Sequence, residues 1–596
     1  MGAIAAILFR DRPNDAGAVR AMIAASPHRG PLGPTATVGR AVVAATSPGD
    51  LMDATLWSDG SLAVAVAGSV DNADDLARHL DRPARANVGD QPAAIVAAAF
   101  RSYGNGLPER LRGAYACIIT DGESLWCFRD HLGLATLFYR DDGNGFHAAT
   151  EAKQVVAGAG IPFEPDLDVL EAIFYSDYDD ETPSALRGVR RLPKSMLLHA
   201  RPDRSRVSRY WYPERLLETA TMSPDEVAAG FHRMMEQAAE RSLGGDDVIA
   251  LSGGIDSPAI AAYAAPVHLR KTGSPLSALS AVYPHMPSCD ESEYIEVVAR
   301  DLGLELHTFQ RARPTMEGLQ DWVRLFDGPA PQWTVSQGEE FHRKARELGF
   351  RTIMTGEVAE FVIDSRHHVV DHLLLHGRLP SAFGYLASER AAGASWKYLF
   401  RSVAGALAPR PLLARYLRMR HPKDGYRPAW LLPQTPLERP EYRSYFMEPR
   451  ERWKQGQLTG FNGPGLSMEA DSIAQAVAGV RTRRPWADVD LWEFFLRMRA
   501  ETKFPKAETK GLVRRLLRGR VPDAILDRTD KTHFNEYVMT GIDYPVLRKW
   551  LVNPEYRVRG VDYQQLSDRL EAEDLRLYDY IWARDLAAVH AFLSLW

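Results

Sequence analysis

Apolar positions in roughly the first 210 residues fall into short runs broken by turn residues, the spacing of strands. Such runs are "AIAAIL" (3–8), "LAVAVAG" (62–68), "AYACIITDG" (114–122), "SLWCFRD" (124–130) and "TLFYRDDGNGFHAAT" (136–150). The last holds Asp-Asp-Gly-Asn-Gly between two apolar segments, which predicts a hairpin. A helix is expected at 91–103, and a boundary near 211–222. Beyond the boundary a helix is marked at both ends, with Ser223 as N-cap, Pro224 at its first position, Glu226 at its third and Gly244-Gly245 after it. Buried-type strands at 248–252, 276–283, 304–309 and 350–356 then alternate with helical patterns such as 291–302 and 336–348. That alternation predicts parallel strands with crossover helices, and ligands of such sheets sit at the carboxyl ends of the strands. From about 362 onward the pattern is mostly helical, with proline-containing polar connections around 408–464.

Composition narrows the class. The 596 residues are 45% hydrophobic and 25% charged with a formal net charge of -5, ordinary for a globular chain of two or three domains and no argument for nucleic acid. Arginine is dense at 481–484 and 514–520, which solvated helix faces would equally explain. Cys117, Cys127 and Cys289 have no metal-ligand spacing and are too few for a disulfide scaffold, which predicts a cytoplasmic protein. The start has no signal-peptide pattern, and no apolar run is long enough for a membrane span.

The stretch that carries chemistry is "VIALSGGIDSPAIAAY" (248–263). A strand ends at Leu251 or Ser252, and a helix is expected to begin near Pro258. Gly253 and Gly254 between them let backbone approach a ligand, and free N–H groups at a helix start favour an anion. Ser252 and Ser257 add hydroxyl donors. Asp256 is discordant, because a carboxylate in a phosphate cradle repels its ligand unless magnesium lies between them. The loop is not of the Walker type, since no Gly-Lys-Ser/Thr follows.

This motif resembles the pyrophosphate loop, SGGxDS, of ATP pyrophosphatases that make acyl-adenylates. More specifically, the chain resembles the asparagine synthetase family over more than 500 residues. "HRGPLG" (28–33), "RLRGAYACIITDG", "FRDHLGLATLFY" (128–139) and "ATEAK" (149–153) are similar to its glutaminase domain. "FDGP" (326–329), "TGEVAE" (355–360), "RPWAD" (484–488), "KGLVRRLLRGRVP" (510–522) and "RTDKTHF" (528–534) follow in family order. The resemblance implies an α+β N-terminal Ntn-hydrolase-like sandwich at 1–212. It implies an α/β adenine-nucleotide α-hydrolase (PP-loop) domain at 220–596 with a helical insertion at about 362–484. It implies ATP and Mg2+ as cofactors, with Glu357 acting on the attacking amine and Lys531 stabilising acyl-phosphate charge. Leu251, Ala281 and Gly356 fall at adenosine-binding positions, and Asp256 and Glu360 at metal positions, Glu360 replacing the family's aspartate. Asp290, Glu291 and Glu293 read as helix-capping groups.

The sequence also departs from the family. Glutamine-using members have a cysteine nucleophile after Met1, and here position 2 is Gly2. The family's NGEIYN is replaced by "AGSVDN", with Ala67 and Ser69, and "GDQPA" (89–93) keeps Asp90 but has Pro92. A glutaminase is therefore not expected, and the amine must come from elsewhere. Two branches of the family without glutaminase activity are β-lactam synthetases and lasso-peptide cyclases. Pro485 lies 124 positions beyond Phe361, and the stretch between them, which includes "HHVVDHLLLHGRL" (367–379) and "RYLRMRHPKDGYRPAW" (415–430), favours the cyclase, with its larger substrate. The expected reaction joins an Asp or Glu side chain of a leader-trimmed precursor peptide to that peptide's N-terminal amine. A leader-binding protein and a leader peptidase are the expected partners. A small-substrate amide ligase and a non-catalytic scaffold, the latter suggested by the altered "TGEVAE", are the alternatives.

Overall fold

A computed structural model describes residues 2–10, 14–47, 53–80, 91–176, 180–329, 332–409, 411–412, 415, 427–432, 447–462 and 465–596. Asp90 and most of 415–430 lie outside these residues. The chain forms two layered antiparallel sheets followed by one parallel sheet.

The first sheet is ordered β10-β8-β9-β1-β3-β2. It comprises β1 (Ile4–Phe9), β2 (Leu32–Val38), β3 (Ala41–Thr46), β8 (Phe138–Asp142), β9 (Gly145–Ala149) and β10 (Arg190–Arg191). The second is ordered β12-β11-β7-β6-β5-β4. It comprises β4 (Ala54–Ser58), β5 (Ala63–Gly68), β6 (Tyr115–Thr120), β7 (Leu125–Arg129), β11 (Met196–Arg201) and β12 (Arg204–Arg209). Ile4, Ala6 and Leu8 of β1 meet Ala63, Ala65, Ala116 and Ile118 of β5 and β6 between the sheets. Small residues there let the sheets approach closely. The alternate set, Ala5, Ile7 and Phe9, packs under the helices Ala16–Ala24, Ala152–Ala159 and Leu577–Leu593. On the far side, Val64, Val66, Cys117 and Ile119 pack under the helix Pro92–Tyr103. The result is a helix-sheet-sheet-helix sandwich, and Gly143-Asn144 turns the β8–β9 hairpin where the sequence predicts it.

The parallel sheet runs β15-β14-β13-β16-β17, from β13 (Asp247–Ala250), β14 (Ser277–Val282), β15 (Glu305–Gln310), β16 (Thr352–Met354) and β17 (Arg481–Arg483). From β13 the chain first builds outward through β14 and β15, then returns to the other side of β13 to lay down β16. The helix Pro224–Ser242 in front of this sheet carries the predicted capping box, Ser223 with Glu226. The helix after β13 begins at Asp256, two residues before the expected Pro258.

The arginine cluster at 481–484 is not a solvated helix face. Arg481–Arg483 is the fifth parallel strand, and Arg483 is buried. Burying arginine is costly unless each guanidinium is paired. Arg483 donates to Asp71 Oδ1 at 2.6 Å, to the Arg241 carbonyl at 2.5 Å and to Ser69 Oγ, so the strand is fastened to the sandwich. Beside it Arg112 reaches Asp490 at 2.8 Å, and Arg241 reaches Asp488 and Asp490 at 2.8 and 2.7 Å.

A second buried network joins the two halves. Glu151 accepts from Ser26 Oγ at 2.7 Å and from Arg29, and lies 2.7 Å from His28 Nε2. Lys153 lies 3.3 Å from both Glu151 and Asp327, and Arg29 also donates to Ser472 Oγ at 3.2 Å. "HRGP", "ATEAK" and "FDGP" thus meet in one interdomain lock, a structural use independent of glutamine.

The helical part holds a buried lysine. Lys503 donates to Gln457 Oε1 at 2.9 Å, and its ammonium lies 5.3 Å from the Phe504 ring centre. Burial pushes its pKa down to about 7. An unfolded chain, with the ordinary value near 10.5, binds more protons between those limits, so stability rises with pH there. In chemical denaturation from about pH 7 to about pH 10, wild type should gain on Lys503→Met by roughly 1.4 kcal/mol per pH unit, with no further change in the difference below about pH 6. A pH-independent difference would contradict the assignment.

Candidate active site

The site forms where the order of the parallel sheet reverses. Leu251 N–H donates to the Leu279 carbonyl at 3.0 Å, and Ser280 Oγ donates to the Leu251 carbonyl at 2.9 Å. The ends of β13 and β14 are thereby locked side by side, with Leu251 buried and Ala281 half-buried at their edge. Ser252 N–H donates to Ser257 Oγ at 3.0 Å, closing the glycine loop on the helix it leads into. Gly356, after β16, comes against that helix start: a Cβ there would lie 2.8 Å from Ser257 N and 3.0 Å from Asp256 Cβ. Only glycine permits this approach, which brings the loops after β13 and β16 together.

Asp256 is the first residue of the helix Asp256–Thr272. One carboxylate oxygen pairs with Lys510 Nζ, and the other, Oδ1, is buried without a hydrogen-bond partner among the described residues. Burial raises the Asp256 pKa; Lys510 opposes the shift, Asp364 adds to it, and the Lys531 charge opposes it. Asp364 Oδ1 accepts from Lys510 N–H at 3.2 Å and lies 2.8 Å from Arg366 Nε. Lys510 itself has φ +56, an uncommon left-handed conformation for a non-glycine residue. A buried carboxylate with an unsatisfied oxygen, beside a second carboxylate and close to anion-binding backbone, fits a hard divalent cation such as Mg2+. Glu360, the expected second ligand, is exposed on the helix Ala359–Ile363, whereas Asp364 is the other carboxylate whose field acts on Asp256.

Glu357 is half-exposed after β16, held by Arg484 Nε at 2.7 Å. Arg484 also pairs with the half-buried Asp471, which lies 3.5 Å from His342 Nε2 and accepts from Gln475 at 2.6 Å. Burial would raise the Asp471 carboxyl, but the Arg484 and His342 charges outweigh it and hold the group below its ordinary range. Val358, which follows Glu357, has φ +65, and a buried β-branched residue in that region is strained by about 1–3 kcal/mol. The Glu357 side chain is thus set by a strained turn and by a guanidinium anchored from below.

Glu291 and Arg528 also have a place in the site that the sequence does not assign. Glu291 is no cap: its Oε2 accepts from Gly253 N–H at 3.0 Å and its Oε1 from Arg528 at 2.9 Å. The same Arg528 donates to the Gly253 carbonyl at 2.9 Å and lies 4.1 Å from the Tyr294 ring centre. The expected free N–H of Gly253 is thus occupied by a carboxylate. Arg528 fastens to the loop the segment that carries Lys531, which is itself exposed. Asp290 accepts from Tyr283 N–H and Ser292 Oγ at 2.9 and 2.8 Å, and Glu293 lies in the first turn of its helix.

In the sandwich, Gly2 N–H donates to Asp53 Oδ1 at 3.0 Å. A Cβ at position 2 would lie 2.5 Å from Ala54 Cβ and 2.7 Å from Thr46 Oγ1, so a cysteine has no room there. Ser69, in the loop where the family's NGEIYN falls, is engaged by Arg483.

Residues 231–595 match the family model for asparagine synthase, and residues 1–211 match that for the glutamine amidotransferase domain. The chain belongs to the asparagine synthase family. It is 24% identical to asparagine synthetase [glutamine-hydrolyzing] 3 of Bacillus subtilis over 546 residues, covering 85% of this chain and 81% of that protein. It is 26% identical to a putative asparagine synthetase [glutamine-hydrolyzing] of Mycobacterium tuberculosis over 74% of this chain and 70% of that one. Amidase chry2 of Gibberella zeae is 27% identical over 45% of this chain and 42% of its own. Among solved structures, glutamine phosphoribosylpyrophosphate amidotransferase from B. subtilis aligns at 13% identity over 53% of this chain and 83% of that one, with TM-score 0.27. The family accounts for both halves: an N-terminal Ntn-type amidotransferase fold and an asparagine-synthase α/β domain. This asparagine-synthetase-like chain is an ATP-dependent amide-forming ligase by family.

Two outcomes follow from the geometry. Gly2→Cys should yield no glutaminase activity and lower stability by about 1–3 kcal/mol, measured by thermal unfolding and glutamate release; a stable, glutamine-cleaving variant would contradict the packing. Arg528→Ala, which unties Lys531 from the loop and leaves Glu291 without its cation, should cut ATP turnover by roughly 100-fold, and Arg528→Lys should restore only part of it. Full activity in Arg528→Ala would remove Arg528 from the site.

Proposed function

We propose that this asparagine-synthetase-like chain closes a macrolactam in a ribosomal peptide: ATP adenylates an Asp or Glu side chain, and the peptide's N-terminal amine attacks it. The observation that carries the reading is the pairing of a buried, half-satisfied Asp256 carboxylate at the end of the glycine loop with a position 2 that neither has nor admits a nucleophile. A family ligase that cannot draw ammonia from glutamine takes its amine from a substrate. The insertion at about 362–484 supports a substrate larger than an amino acid.

In the first step a carboxylate oxygen attacks the α-phosphorus and pyrophosphate leaves; in the second the amine attacks the acyl carbon, loses a proton, and AMP leaves. Leu251, Ala281 and Gly356 line the adenosine side, and Ser252, Gly253, Gly254 and Ser257 the phosphate side. Asp256 would hold Mg2+, with Asp364 better placed than Glu360 as the second carboxylate, and the ion would neutralise phosphate charge. Lys510 and Lys531 bring positive charge to the transferred group. Glu357, oriented by Arg484, accepts the amine proton. Holding amine and acyl group within one bound peptide makes the attack effectively unimolecular. The partners in this reading are a leader-trimmed precursor peptide, a leader-binding protein and a leader peptidase, in the cytoplasm.

With Mg-ATP and a linear core peptide, mass spectrometry should show a product lighter by one water, with equimolar AMP and pyrophosphate. Asp256→Ala should abolish all three, and Glu357→Gln should slow ring closure and AMP release by about 100-fold or more while the acyl-adenylate and pyrophosphate still form. Free asparagine made from aspartate and ammonium, or an unchanged peptide with ATP intact, would sink the reading.

A further inference from the structure

The helices Leu379–Ala391 and Trp396–Leu407 sit side by side in the insertion and turn large apolar side chains outward. Trp396 is 71% exposed, Phe400 74%, Phe383 62%, Leu407 59% and Leu379 48%. At 3.6 residues per turn, positions 396, 400 and 407 fall within roughly 40° of one another, a continuous stripe along the second helix. Its inner side is anchored independently: Leu399 packs with Val370, Leu373, Tyr385 and Trp453, and Ala406 is buried. The stripe is therefore not needed to hold the helix in place.

Charge around the stripe is mostly positive. Exposed Lys397 and Arg401 lie on the same helix a quarter-turn or so further round, and Arg390 stacks 5.4 Å from the Trp396 ring centre. Trp396–Leu407 contains no Asp or Glu. Residues 379–415 hold five Lys and Arg against one acid, Glu389, in a chain whose net charge is -5. Glu389 is turned to the Tyr398 hydroxyl at 3.4 Å. An exposed Trp/Phe/Leu stripe flanked by Lys and Arg is the pattern of a helix lying in the plane of a membrane surface, with rings at the headgroup level and cations on anionic headgroups. No helix among the described residues is long and apolar enough to cross a membrane, so the contact is peripheral.

We propose that Trp396, Phe400 and Leu407, with Phe383 and Leu379 beside them, form a docking face for an anionic lipid surface, with Lys397 and Arg401 contacting the headgroups. This proposal rests on surface chemistry and stands whether or not the peptide reading holds. The test is co-sedimentation of the full chain with vesicles of phosphatidylcholine alone or mixed equally with phosphatidylglycerol. Wild type should partition at least about 10-fold more into the mixed vesicles, and raising salt from about 50 mM to about 500 mM should reverse this. Trp396→Ser with Phe400→Ser, and separately Lys397→Glu with Arg401→Glu, should each lose about 10-fold or more of that partition, while circular dichroism melts confirm the fold. Wild type left in solution with anionic vesicles, as expected if the face receives a protein, would overturn the proposal. So would variants that sediment like wild type.

Discussion

The site is organised around one electrostatic problem, the buried carboxylate of Asp256. Taking a carboxylate out of water is unfavourable by several kcal/mol unless it is paired. Here Lys510 satisfies one oxygen, and the other has no hydrogen-bond partner among the described residues. The close approach of Gly356, the strained turn of Lys510 and the nearby charge of Asp364 all converge on that group. Such an arrangement is poorly suited to stability alone and well suited to receiving a cation bound to phosphate. The same carboxylate stands at the start of a helix, beyond the strand where the sheet order reverses, a position that favours an anion.

Around this centre the two halves of the molecule have separate histories of use. The sandwich has no room for a nucleophile at Gly2, yet its buried motifs are occupied. Glu151, Arg29 and Lys153 lock it to Asp327 and Ser472, and Ser69 and Asp71 receive Arg483 from the parallel sheet. Removing one member of such a buried network would leave its partners uncompensated. That accounts physically for a sandwich retained without the cysteine: it braces the strand that precedes Arg484, and Arg484 in turn sets Glu357.

Much of this was legible in the sequence because periodic burial and glycine placement leave local marks. The apolar runs of β1 and β5, the capping box at Ser223 and Glu226, and the turn from β13 into Asp256 each depend on residues a few positions apart. What escaped depends on partners far along the chain. β17 is an arginine-rich triplet whose burial makes sense only once Asp71 is beside it. Glu291 carries the mark of a helix cap, since a carboxylate before a helix looks the same in sequence whether it caps that helix or reaches back to Gly253. Asp364 lay past the position where a second carboxylate was sought, and only the fold places its charge on Asp256.

The central claim is that this site activates a peptide carboxylate as an acyl-adenylate. It is tested most directly by following heavy oxygen from a linear peptide whose acceptor Asp or Glu carboxylate is labelled with it. The account predicts that each ring closed leaves one heavy atom in the phosphate of AMP, and that unlabelled pyrophosphate forms in equal amount. Label in inorganic phosphate with ADP as co-product, or ring closure with no label in AMP, would contradict it.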